Sequence, residues 1–393
     1  MGLPRRAWHS RRAQILWFRF QWCTSGEPGI QGELKSHGPD SNGVPQVSAS
    51  EGFTVSEVTK RSLVLSFPDK NVSTKFTAPS TSLADIHKRS ICSLDVSSGG
   101  ALGVSASDDG TLKIWQTSDG LVRRDLQGHI GEVSTCQFFP SGIVVLSGGL
   151  DTQLKIWSAE DGSCPVTMRG HGSAIRSTDV VDKGRNIVSC SSDGSARLWD
   201  CGQSKCLATV YKGDCPVNDC AVGVASNCVD LGTPADSQSR DREVGTQDKL
   251  LLLATEGGEL AGVGLHSRTK IFQVSSSSAF NCCTCVSPDT VIGGTEDGKI
   301  YVIDIRNTSE PKQIIQRSSP VLCVRASKEG FIAGTGGQGT FHYQSVSISS
   351  TIVHDLTIGF QVSTQQRDKL IVVLLIREEG LLVMVRTFID SVS

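Results

Sequence analysis

Serine, histidine and aspartate are the parts of a hydrolase triad, in which a base takes the nucleophile's proton and an acid orients the base. This 393-residue chain carries all three types in step, and it does so three times. His87, His129 and His171 are forty-two residues apart; so are Ser105, Ser147 and Ser189, and Asp109, Asp151 and Asp193. A fourth type keeps the same interval at Trp115, Trp157 and Trp199. A triad occurs once, at a cleft. A constellation repeated at a fixed period belongs to the architecture, and the expectation is a chain that is not an enzyme. Two other chemical motifs fail on context. Gly334-Thr335-Gly336-Gly337-Gln338-Gly339 has dinucleotide-loop spacing, but "TFHYQSVSI" follows, an alternating strand where such a loop needs a helix. Cys282-Cys283-Thr284-Cys285 contains a Cys-x-x-Cys with no second pair at zinc spacing. No phosphate loop is present, and neither cofactor nor metal is expected.

The elements that must position the four residues are strands. A period of about 40 to 45 residues with a Trp-Asp ending marks a four-stranded propeller blade. The copies read "SASDDGTLKIWQ", "SGGLDTQLKIWS" and "SCSSDGSARLWD", two of them opened by Gly128-His129 and Gly170-His171. They resemble the WD40-repeat family, although only Trp199-Asp200 is a literal Trp-Asp pair. That resemblance implies a hydrogen-bonded tetrad in each repeat. The Asp, in the turn between the second and third strands, accepts from the His; the His meets the Ser hydroxyl; the Ser meets the indole N–H. Each group works within its ordinary capacity, and a buried group left unpaired costs about 1–3 kcal/mol.

After Trp199 the residue types fade but a spacing survives. Gly257-Gly258, Asp297-Gly298, Gln338-Gly339 and Glu379-Gly380 each precede by six residues a position matching the Trp: Val263, Ile303, Gln344 and Val385. The expected fold is an all-β, seven-bladed WD40 propeller over residues 44–393, with clear repeats at 87–200 and degenerate blades at 201–393. The gap from Trp199 to Val263 is about twenty-two residues too long, which predicts a polar loop inserted at about 225–249 in the fourth blade. Residues 1–43 read as a disordered or atypical segment. Arg5, Arg6, Arg11, Arg12 and Arg19 precede the first acid, Glu27, a composition shared with transit peptides. Residues 38–43 read as a linker. One strand within about residues 53 to 77 is expected to close the ring by completing the last blade, since an open edge invites aggregation.

Composition narrows the function classes. Thirty-eight Lys and Arg oppose 40 Asp and Glu, so no global basic field recruits nucleic acid. No apolar run approaches the roughly 18 to 20 residues of a membrane helix. The 14 Cys lie largely in strand contexts such as Cys92, Cys136, Cys220, Cys283 and Cys323. They read as reduced core thiols of a cytoplasmic and nuclear protein, in which the sequons at Asn71 and Asn307 stay silent.

Within the WD40 family, "VSASEGFTV", "FFPSGIVVLSGGLDTQLKIWSAEDGSC", "GRNIVSCSSDGSARLWDCGQSKCL", "REVGT" and "AFNCC" are similar to a group of proteasome-associated members, from about Val44 to about Gly330. The first 43 residues and much after Phe341 depart from it. The resemblance implies binding to ATPase subunits of the proteasomal regulatory particle, as an assembly chaperone and as a negative regulator of regulatory particle–core particle association. The chain would be a monomer outside that complex. Candidate partner-binding residues on the face built by the loops before the first strand and between the second and third are Asp108, Glu132, Arg169, Arg176, Glu256 and Glu296. A different class, a substrate receptor of a cullin-type ubiquitin ligase, would use a Trp-Asp-x-Arg contact, for which Ile303-Asp304-Ile305-Arg306 is the best match.

Overall fold

The computed structural model describes residues 17–24, 30–60, 62–70, 72–77, 86–233, 242–317, 319–327, 330–336, 341–345, 352–353, 376–378 and 381–383. Among these, all regular structure is β except a 3-10 turn at Pro68–Lys70. Five four-stranded antiparallel sheets follow one another, spanning 91–126, 133–169, 175–212, 217–275 and 280–316. A sixth, at 321–345, has three described strands. In each, strand order follows chain order, as in the blade of a propeller.

The register carries the period beyond the visible repeats. Trp115, Trp157 and Trp199 sit opposite Gly103, Val145 and Ile187. Val263 and Ile303 occupy the same slot opposite Leu251 and Val291. Gln344 pairs with Phe331, one residue further along. Six of the seven expected modules thus lie among the described residues, whereas Val385 falls outside them. Ile376–Glu378 and Leu381–Val383 form a hairpin at the expected turn.

The first strand of each blade lies beside the first strand of the next. Sheets so arranged bury their faces between neighbours, and the core is divided accordingly. One cluster, with Val104, Ile114, Val145 and Trp157, joins the first and second blades. Others join the second to the third through Met168 and Trp199, and the third to the fourth through Leu198 and Val263. Phe280 with Leu252, and Phe331 with Ile300, continue the series to the sixth blade.

Two expectations about the N-terminal region need correction. Trp17–Thr24 and Ile30–Pro39 are strands, paired with each other and with Pro45–Ala49. The supposed linker at 38–43 is therefore a turn, in which Asp40 Oδ1 accepts from the Asn42 and Val44 amides at 2.8 Å each. Among the described residues, no strand within residues 53 to 77 pairs with the expected last blade. Thr54–Ser56, Ser62–Phe67 and Val72–Thr77 form their own three-stranded sheet. Short turns on both sides of Ser62–Phe67 let its sequence neighbours pair with it at little loop-closure cost. Leu34, Phe53 and Leu65 pack these two sheets together. The pairing between the two ends of the chain is made further upstream, where Cys23 and Thr24 meet Val353 and Ile352.

The inserted loop lies between Val217–Val224 and Lys249–Thr255. Its second half is pinned to the blades. Glu243, its side chain buried, pairs with Arg268, and the Val244 amide donates to Asn186 Oδ1 at 2.7 Å.

Candidate docking site at the channel mouth

In the second and third blades the four repeated residues form a continuous wire. In the second blade Trp157 Nε1 donates to Ser147 Oγ (2.8 Å), His129 Nε2 lies 2.7 Å from that hydroxyl, and His129 Nδ1 lies 2.9 Å from Asp151 Oδ2. The third blade repeats this, with Trp199 to Ser189 at 2.8 Å, His171 to Ser189 at 2.7 Å and His171 to Asp193 at 3.0 Å. Because the serine already accepts from the indole, its own proton points to Nε2, and the histidine proton is on Nδ1. Burial lowers the pKa of His87, His129 and His171, so the wire runs through neutral imidazoles.

The first blade departs from the expected pattern. Trp115 Nε1 donates to Ser105 Oγ (3.2 Å) and His87 Nε2 lies 2.6 Å from it, but His87 Nδ1 meets Thr111 Oγ1 at 2.6 Å. Thr111 in turn donates to Asp109 Oδ1 at 2.5 Å. Ser195 plays a related part in the third blade, donating to Asp193 Oδ1 at 2.5 Å. A hydroxyl two residues past the turn Asp is thus a fifth member that sequence reasoning missed. Burial alone would raise Asp109; the donors Thr111, Ser107 and the Lys88 amide outweigh it and bring its carboxyl down to about 2.

With the blades fixed in this way, their inner strands share one further feature. Each carries a bulge after its first residue, at Cys92, Ser134, Arg176, Asn218, Asn281 and Leu322. A bulge re-aims the extra side chain away from the ladder. Three of these side chains stitch one blade to the next: Ser134 Oγ to Ile175 O, Asn218 Nδ2 to Phe280 O (3.0 Å) and Asn281 Nδ2 to Val321 O (3.1 Å). The first five line a cavity of about 520 Å³ together with Glu132, Ala279, Glu256 and Glu296. A space lined by five successive blades lies where their inner edges converge, at the mouth of a central channel.

Three carboxylates face one guanidinium there. Arg176 Nε is occupied by Ser192 Oγ (2.7 Å) and Glu296 Oε2 by Asn281 Nδ2 (2.6 Å). Among the described residues no Lys or Arg pairs with Glu132, Glu256 or Glu296. Further along the same strands, Asp95, Asp179 and Asp219 each accept an amide of a following blade: Phe138 at 2.7 Å, Val222 at 2.6 Å and Cys283 at 2.9 Å. Burial pushes Asp179 up to about 6 and raises Asp95 and Asp219 as well. Arg325, on the sixth inner strand, balances them. Burial works against its charge, and Asp219, Asp95 and Asp179 outweigh that penalty.

Comparison with known proteins agrees with this geometry. The profile "WD domain, G-beta repeat" matches residues 80–116, 120–158 and 162–200. Proteasomal ATPase-associated factor 1 of Gallus gallus is 58% identical over 324 residues, 82% of this chain and 82% of the relative. The proteins of that name from Homo sapiens and Bos taurus are each 54% identical over 320 residues, 81% of this chain and 81% of theirs. The chain belongs to the proteasomal ATPase-associated factor 1 family. It is a family of non-enzymatic WD40 scaffolds named for association with the proteasome.

Of the six residues read from the sequence of this family member, the mouth brings together Glu132, Arg176, Glu256 and Glu296. Asp108 lies on the neighbouring rim, in the turn of the first blade, where its amide donates to Ser90 O. Arg169 ends the outermost strand of the second blade, opposite Gln153, away from the channel. Arg176 is itself a bulged residue; the other five were missed, although each directly follows the buried apolar residue that opens an inner strand. In the ligase-type motif, Ile303 and Ile305 are buried and Arg306 is engaged by Asp304 (2.6 Å) and Asp289 (3.6 Å). The Cys-x-x-Cys thiols lie within the core, where burial pushes Cys285 up to about 12 and Cys282 well above its usual value.

Proposed function

We propose that the chain is a scaffold that binds ATPase subunits of the proteasomal regulatory particle at the channel mouth. It acts there as an assembly chaperone and as a negative regulator of regulatory particle–core particle association, in cytoplasm and nucleus, and is a monomer outside the complex. The observation that carries this reading is the convergence of Glu132, Glu256 and Glu296, none paired with a described cation, around one cavity. It occurs in a chain whose relatives are named for proteasomal ATPases. Uncompensated charge on a rigid rim favours fast, selective encounter with an oppositely charged partner.

The test reverses Asp108, Glu132 and Glu296 together to Lys and measures capture of purified regulatory-particle ATPase subunits. The expected result is a loss of at least tenfold at low salt, fading as salt rises. Unchanged capture sinks the assignment to this face.

A further inference from the structure

The first three blades superimpose residue for residue in sequence, and this makes departures among them informative. The position after the tetrad His is Lys88, Ile130 and Gly172 in turn; the position before the turn Asp is Asp108, Leu150 and Ser192. Only the second blade places two aliphatic side chains there. Neither is needed for packing, since Ile130 is 79% and Leu150 57% exposed. Scattered exposed aliphatics are ordinary, but these two stand on one rigid rim. A Cβ added at Gly131 would lie 3.7 Å from Leu150 Cδ2. The Leu150 amide donates to Glu132 O at 2.9 Å and the Ile130 amide to Asp151 Oδ2 at 3.2 Å. Asp151 is itself held by His129.

Acid flanks the pair on both sides. Glu132 follows Ile130 and lines the cavity. The turn of the first blade presses against the same spot, because a Cβ on Gly110 would come within 2.9 Å of Gly131 O. That turn brings Asp108, whose Oδ1 is buried and without a hydrogen-bond partner. The surface is an aliphatic knob between two carboxylates.

We propose that Ile130 and Leu150 are the apolar anchor of the docking surface, seating an aliphatic or aromatic side chain of a partner segment that carries a Lys or Arg beside it. The partner's Lys or Arg meets Glu132 and Asp108, which explains why the knob is bounded by acid. The positions are preorganised by the tetrad of the same blade, so little ordering is needed on binding. The identity of the partner as a proteasomal ATPase rests on the function proposed above; the chemistry of the anchor does not.

The experiment compares full-length wild type with the double variant Ile130→Ser/Leu150→Ser by calorimetry against purified ATPase subunits. A parallel array offers peptides with apolar–basic or apolar–acidic pairs. The expected result is a 10- to 100-fold weaker Kd, persisting at 0.5 M NaCl, and loss of retention on apolar–basic peptides alone. Glu132→Gln should weaken binding only at low salt, and Gly172→Ala should change nothing. Because both side chains are exposed, the double variant should melt as wild type does. Wild-type affinity in the double variant, in either assay, overturns the anchor. Failure of wild type to bind any ATPase subunit, with apolar–basic peptides still captured through Ile130 and Leu150, overturns the proposed partner and leaves the anchor standing.

Discussion

The first three blades and the next three reach one architecture by different chemistry. In the third blade the slot shared by the second and third strands holds Ser189 and Trp199, wired to His171 and Asp193. Register places Leu253 and Val263 in that slot of the fourth blade, and Gly293 and Ile303 in the fifth. In the fifth blade an aromatic ring from the first strand fills the volume the Trp leaves. Phe280 covers Gly293 and packs on Tyr301 at 5.3 Å. A polar wire demands particular partners at every link, whereas an apolar slot accepts many combinations of about the right volume. The blades with the wire keep a readable signature for that reason, and the others lose it without losing the fold.

The largest expected effect on this contrast comes from Trp199→Ala. It should cost about 3–5 kcal/mol in urea unfolding, since a fully buried indole is removed and its hydrogen bond with it. A loss below about 1 kcal/mol would break the claim that the wire holds its blade. Arg325→Met comes next, at about 1–3 kcal/mol, below the roughly 3–5 of sealed ion pairs because the channel admits water. With Asp95, Asp179 and Asp219 left uncompensated, the deficit should be larger at pH 8 than at pH 5, where Asp179 with its value of about 6 is protonated. An equal deficit at both pH values would show that Arg325 does not balance them.

Ser189→Ala sharpens the comparison further. It removes one oxygen yet strands His171 Nε2 and Trp199 Nε1, for an expected cost of about 1–3 kcal/mol. At the matching slot Leu253→Val should cost only about 0.8 kcal/mol, one methylene. Equal costs would mean the wire is no more demanding than the apolar slot. The smallest effect is with acid. The three tetrad histidines have lowered values when folded, so below about pH 6.5 the unfolded chain takes up protons that the folded chain refuses, and stability falls. Asp109, at about 2 when folded, adds a second loss as pH drops through the ordinary carboxylate range near 4. Hydrogen exchange at pH 5.5, corrected for intrinsic rate, should loosen blades one to three before four to six. Uniform loosening would contradict the assignment.

Much of the fold was legible because the tetrad residues are recognised by type and the turn residues by position. The hydroxyls of Thr111 and Ser195 were also within reach, two places after a turn Asp, yet nothing in the period alone says that they enter the wire. The site was less legible. Glu132, Arg176, Glu256 and Glu296 could be placed on a face by loop logic, but the other bulged residues between them could not, because a bulge exists only relative to a partner strand. Asp95, Asp179 and Asp219 look like isolated strand acids; their amide partners are forty-three or sixty-four residues away. The strands at Trp17–Thr24 and Ile30–Pro39 were not legible, because an Arg-rich, acid-poor opening reads as disordered or atypical and the pairing of Thr24 with Ile352 links opposite ends of the chain.

By itself the sequence determined the repeating unit, its strand content and the polar wire of three blades, because hydrogen-bonding capacity and apolar alternation are properties of residue types at fixed separations. Only the tertiary structure decided which residues face the channel, which carboxylates at its mouth meet no described cation, and that Ile130 and Leu150 stand together beside them. Those facts depend on distances between blades. Such distances are set when inner strands from the whole length of the chain converge, and no local spacing encodes them.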